Sequence, residues 1–159
     1  MISSTYGEVS ISEIARIIMG IVKTDYDQYS ILVGTDSMSY ADTRVATVIA
    51  LYHIGKGGIF FYDVETCKRM STIREKITYE TQKSMEYSNE LLSELDALYS
   101  EFGFDYSNIK FSIHVDAGYT GDTRKVVSEI VSWINSCGYD CEIKPNAPIA
   151  STVADKISK

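Results

Sequence analysis

Ile31-Leu-Val-Gly-Thr-Asp-Ser37 is a short apolar run closed by an acid. Tyr29 to Thr35 reads as a buried strand, because brief runs rich in Ile, Leu and Val fit a pleated interior surface. Asp36 then stands as a carboxylate at the end of a core strand. Toward the C-terminus, Arg44 to Ile54 is a second, longer β-branched stretch and Ile59 to Val64 a third. Gly55-Lys-Gly-Gly58 between them predicts a hairpin turn. It is not a phosphate-cradling P-loop, since no Lys-Ser/Thr pair follows spaced glycines. Toward the N-terminus, Ser10-Ile-Ser-Glu13 matches a capping box, in which a hydroxyl and a Glu satisfy the orphan helical N–H groups. Ile11, Ile14, Ala15, Ile18, Ile21 and Val22 continue at helical spacing to about Lys23.

Beyond the third strand, apolar positions from Ile73 to Phe102 recur every three or four residues with acids between them. A helix of that span would be roughly 45 Å long, so a break or bend within it is expected. Ile109 to Val115 predicts a fourth strand, Thr123 to Cys137 an amphipathic helix closed by Gly138, and Tyr139 to Lys144 a fifth strand. After Pro145 and Pro148, Ile149 to Ile157 predicts a terminal helix. The order after the first helix is three strands, helix, strand, helix, strand, helix. Hairpin-linked strands followed by alternating strand–helix units imply a mixed sheet with helices on its faces. That is the ribonuclease H-type order: an α/β fold with a five-stranded mixed sheet, an extra N-terminal helix, and one domain over 1–159.

The 159 residues carry 15 Lys plus Arg against 22 Asp plus Glu, a net charge of −7. Acidity ordinarily argues against nucleic-acid binding, which draws its affinity from phosphate contacts. Here the charge is localised. Tyr79 to Asp105 holds seven acids and one Lys, so a single solvated helix accounts for −6 of the −7. Lys56 to Lys76 has five bases against three acids, leaving room for a nucleic-acid surface elsewhere. The apolar stretch Ile14 to Val22 is far short of the ~20 residues of a membrane span, and the N-terminus lacks a signal-peptide pattern. Cys67, Cys137 and Cys141 are an odd count without CxxC spacing, which suits a reducing compartment. A cytoplasmic location is expected.

Four acids fall where a ribonuclease H-type site needs them: Asp36 and Asp116 after strands, Glu80 on the long helix and Asp155 on the last. Neighbouring parallel strands would bring Asp36 and Asp116 together, and the helical acids could close the ring. Glu80 stands three residues after Ile77 and four before Ser84, on the buried edge of its helix. Glu75 lies about 140° round from it. Crowded carboxylates must take up protons or bind hard cations. Mg²⁺ or Mn²⁺ suits them, and a pair of ions about 3.5–4 Å apart serves phosphodiester hydrolysis. Thr123 and Arg124 open a helix beside Asp116, where N–H groups and a guanidinium would hold a phosphate. Lys156 and Lys159 would meet a nucleic-acid backbone. His114 is expected as a satisfied core residue.

The pieces Val33-Gly-Thr-Asp-Ser37, Gly55-Lys-Gly-Gly-Ile59, Arg74-Glu-Lys-Ile-Thr-Tyr-Glu80-Thr, His114-Val-Asp-Ala-Gly118, Gly121-Asp-Thr-Arg124, Lys144-Pro and Ala150-Ser-Thr-Val-Ala-Asp-Lys156 run in order along nearly the whole chain. Together they resemble the YkuK-type ribonuclease H-like family of bacteria and phages. The resemblance implies a ribonuclease H-like fold and a divalent-metal nuclease site on Asp36, Glu80, Asp116 and Asp155. The expected activity is metal-dependent hydrolysis of RNA, an RNA–DNA hybrid or a structured nucleic acid. The alternative is an inactive module of the same fold that binds nucleic acid or a protein partner. Oligomeric state is not legible.

Overall fold

The computed structural model describes residues 1–147 and 154–158, the side chains of 122, 155 and 156 excepted. Two short strands, β1 (Ile2–Ser3) and β2 (Gly7–Glu8), precede helix α1 (Ile11–Val22). The capping box forms as expected. Ser10 Oγ accepts from the Glu13 N–H at 3.1 Å and Glu13 Oε2 accepts from the Ser10 N–H at 2.7 Å. Strands β3 (Tyr29–Ser39), β4 (Thr43–His53) and β5 (Gly57–Cys67) form an antiparallel meander. Gly55 and Gly57, both at positive φ, make the turn into β5, a backbone region costly to residues with a Cβ. Helix α2 (Ile73–Phe102), β6 (Lys110–Val115), α3 (Arg124–Ser136), β7 (Asp140–Ile143) and α4 (Asp155–Ser158) follow.

The strand order is β2-β1-β5-β4-β3-β6-β7. β6 runs parallel to both β3 and β7. The sheet is therefore mixed, with seven strands rather than five. The two additional strands are two-residue pieces at one edge, too short for any periodicity to announce. The expected break in α2 is absent: thirty residues run as one helix, capped by Thr72 at the start and by left-handed Gly103 at the end.

Alternation along β3 decides which helix covers which face. Ile31 and Val33 point into a core built with Ile14, Ile18 and Val22 of α1 and Leu91, Leu95 and Leu98 of α2. Their neighbours Ile113 and Val115 of β6 pack with Ile77 and Met85 of α2 and Val127, Ile130 and Ile134 of α3. Burying each such aliphatic side chain contributes about 1.5–3 kcal/mol. Leu32, one step out of phase, faces the other way with Val48 and Ala50, against Ala154 just before α4. So α1 to α3 lie on one face of the sheet and α4 on the other. Between α2 and the sheet sits a small polar layer, in which Thr35 Oγ1 lies 3.1 Å from Thr47 Oγ1 and 2.8 Å from Ser84 Oγ. No described helix is long and apolar enough to cross a membrane.

Candidate active site

β3 and β6 share a fixed parallel register, from Ser30 beside Lys110 to Gly34 beside His114, a constant offset of eighty. Two residues further the same offset matches Asp36 with Asp116. Asp116 follows directly on the last residue of β6. The sequence reading ends the strand at Asp36, but pairing with β4 carries β3 on to Ser39, and Asp36 lies opposite Ala46.

Asp36, Glu80 and Asp116 line one hollow of about 450 Å³ at this end of the sheet. Lys76, Lys144, Ser37, Gly118 and Thr123 line it with them. Glu80 comes from the second turn of α2, and Ser37 Oγ donates to its Oε1 at 2.5 Å. Burial pushes the Glu80 carboxyl up to about 8, and the charges of Asp36 and Asp116 push the same way against the Ser37 hydrogen bond. Asp36 approaches from the other side. Thr35 and Ser37 both bond residues of α2, so the residue between them turns to the α4 face, where Ser158 Oγ donates to Asp36 Oδ2 at 2.7 Å. Asp116 Oδ1 is buried without a hydrogen bond, and Lys144 Nζ stands 3.5 Å from it.

Among the described residues, no group of three acid, histidine or cysteine side chains is gathered to hold a metal ion. Asp36 and Glu80 reach the hollow from opposite faces of the sheet. The donor chemistry nonetheless fits a hard cation. The lining acids offer carboxylate oxygens, one of them buried without a hydrogen bond, and burial together with the neighbouring acids pushes another, Glu80, well above the ordinary carboxylate range, a cost that a bound cation would offset. Asp36, Glu80 and Asp116 are the residues that would hold it.

Glu75, the alternative helix acid, faces elsewhere: its Oε2 accepts from the Ser71 N–H at the start of α2. Thr123 lines the hollow, but its hydroxyl donates to the carbonyls of Gly118 and Thr120 within its own turn. Helix α3 opens at Arg124, which is exposed and is not among the residues lining the hollow. The side chains of Asp155 and Lys156, and all of Lys159, lie outside the described residues. His114 is buried beside Ser112, and burial holds its imidazole down at about 4. Sequence reasoning passed over Ser37, Lys76 and Lys144. Lys76 could have been found, since it precedes Glu80 by one helical turn. Lys144 could not, because only the fold carries it back to Asp116.

A mixed sheet of this order, with helices on both of its faces, is the arrangement of a ribonuclease H-like protein. The chain belongs to the Ribonuclease H-like family, whose model matches residues 13–159. A relative is YkuK of Bacillus subtilis (strain 168), an uncharacterized protein that is 30% identical over 145 residues, 87% of this chain and 84% of YkuK. Two solved structures of the Mos1 transposase catalytic domain with raltegravir, one with Mn and one with Mg, show a looser likeness. They are 11% and 10% identical, cover 94% of this chain and 72% and 73% of theirs, and give TM-scores of 0.38 and 0.36.

Proposed function

We propose that the protein is a divalent-metal-dependent nuclease that hydrolyses phosphodiester bonds in RNA, an RNA–DNA hybrid or a structured nucleic acid. The observation that carries this reading is the convergence of Asp36, Glu80 and Asp116 on one hollow at the end of β3 and β6. Family membership supports it at the level of fold. Mg²⁺ or Mn²⁺ bound there would polarise a phosphoryl oxygen and lower the pKa of an attacking water. The chain's own residues do the rest. Ser37 fixes the orientation of the Glu80 carboxylate and Ser158 that of Asp36. Lys76 and Lys144 bring positive charge to the hollow, which keeps an incoming phosphate from facing three acids alone.

A second reading, an inactive module of the same fold that binds nucleic acid or a protein, is favoured by one observation. Asp36 and Glu80 are hydrogen-bonded within the chain and reach the hollow from opposite faces. Calorimetric titration of Mn²⁺ into wild type and Asp36→Asn, with cleavage of an RNA–DNA hybrid followed on the same samples, separates the two. Uptake and cleavage that both disappear in the variant support the nuclease. Absence of both in the wild type leaves the binding module.

A further inference from the structure

In sequence the excess of base in Lys56–Lys76 is concentrated in its last nine residues, where Lys68, Arg69, Arg74 and Lys76 stand against one acid, Glu75; in the fold Arg74 pairs with Glu129 of α3 at 2.5 Å, so the excess falls to Lys68, Arg69 and Lys76. This segment joins β5 to α2, and from Lys68 to Glu75 only Met70 is buried. Beside it lies a second hollow, of about 420 Å³, between the end of β5 and the first turns of α2. That volume lies within the range of small-ligand sites, and mostly apolar walls with a few polar groups are what such sites share. Met70 and Tyr79 supply apolar surface, while Lys68, Glu75 and Gln82 supply donors and acceptors.

Tyr79 is held in place before any ligand arrives. Its hydroxyl donates to Glu65 Oε1 at 2.5 Å, and Lys83 Nζ sits 5.7 Å from the ring centroid. A ring fixed by two neighbours loses little freedom when something stacks on it. The hollow also has a definite relation to the acids. Ile73, Lys76, Ile77 and Glu80 of α2 line the acid hollow, while Glu75, Thr78, Tyr79 and Gln82 line this one. At 100° per residue the two sets point roughly 160° apart, on opposite sides of the same helical turns. The two hollows are thus separated by one helix diameter, about 10–12 Å with side chains. The exposed basic segment bridges them.

We infer that the β5–α2 hollow is a subsite for an unpaired nucleobase of the strand whose phosphate reaches the acid hollow. The inference rests on the nuclease reading for the second contact, not for the first. Lys68 and Arg69 meet the backbone of the strand as it crosses the start of α2, and the base seats against Tyr79 and Met70. Such a subsite makes single-stranded or frayed nucleic acid the preferred substrate, since a paired base cannot leave its stack to enter it. Stacking is indifferent to sequence, so discrimination among bases would come from Glu75 and Gln82.

The test uses short single-stranded oligonucleotides carrying 2-aminopurine at each position in turn, titrated into the full chain in EDTA. Binding is followed by anisotropy and stacking by quenching of the base fluorescence. Cleavage is not required, so a protein that fails to cut can still pass. Tyr79→Leu removes the ring, and Gln82→Trp fills the hollow from an exposed helical position that tolerates change. Both are expected to weaken binding about tenfold, within the range of one base stack, and to abolish quenching at one position. Tyr79→Phe keeps the ring but releases it from Glu65, and is expected to retain the quenching with a loss of affinity of about twofold. Unchanged affinity in Tyr79→Leu and Gln82→Trp overturns the subsite, leaves the acid hollow's chemistry standing, and turns the β5–α2 hollow over to a protein segment. Equal affinity for an oligonucleotide with an abasic residue at the quenched position overturns it as well.

Discussion

Glu80→Gln should make the metal-free protein more stable at neutral pH, an unusual outcome for a change at a proposed catalytic residue. The folded carboxyl is pushed up to about 8 against an ordinary value of 4.5. A raised folded pKa means that the native state binds more protons than the unfolded chain between those values. Stability is therefore full below about 4.5 and is lost as pH rises toward 8. Integrating the linkage from pH 5 to pH 7 gives a loss of about 2–3 kcal/mol, or about 5–10 °C in Tm for a domain of this size. Gln cannot ionise, and its side-chain oxygen can still accept from Ser37. Its Tm should fall less than that of wild type over the same interval. Differential scanning fluorimetry in EDTA at several pH values measures the difference. Mn²⁺ should then raise the wild-type Tm, by about 2.7 kcal/mol of stabilisation at a hundredfold excess over Kd, and leave Glu80→Gln nearly unmoved. Parallel pH profiles for the two proteins would refute the electrostatic reasoning. Equal Mn²⁺ responses would remove Glu80 from the ion's ligands.

Two further outcomes follow from groups behind the site. Burial holds His114 down at about 4 against an ordinary 6.5, so its contribution is present above 6.5 and lost as pH falls toward 4. The loss amounts to about 3 kcal/mol; urea unfolding of His114→Gln should show a flatter acid limb, and an unchanged limb would assign acid sensitivity elsewhere. Thr35→Val keeps the volume but takes a partner from the Thr47 and Ser84 hydroxyls. It should cost about 1–3 kcal/mol in urea unfolding, and a cost near zero would mean that the polar layer is replaceable by apolar packing.

Most of the scaffold was legible because its signals are local. The Ser10 capping box, the two glycines of the β4–β5 turn and the 3.6-residue rhythm of α2 each act within a few residues, and each appears where expected. What escaped is set by pairing. Ser37-Met-Ser39 carries no strand signal, yet pairing with Thr43 to Val45 keeps it extended beyond Asp36. The acids were readable as a set, but not the faces from which they arrive. A one-residue difference in phase sends Ser37 toward α2 and Asp36 toward α4, and only the partners Glu80 and Ser158 reveal which is which. Lys144 reaches Asp116 because β7 runs alongside β6, a relation that no spacing of 28 residues encodes.

The constant offset between β3 and β6 carries a lesson about tolerance to change. Asp36 and Asp116 are far apart in the chain, but their juxtaposition is counted along a ladder of five residue pairs rather than along the intervening segment. Residues can be added to or removed from the Tyr40–Asp42 tip, the Gly55 turn or the Gly103–Asn108 connection while the two acids stay level. A single-residue slip within β3 would do the opposite, exchanging the positions of Asp36 and Ser37 and pointing the acid into the α2 core. Length variation among relatives should therefore collect in those three connections, and a chain re-cut at the Gly55 turn, with its old ends joined by a linker, should still align its acids.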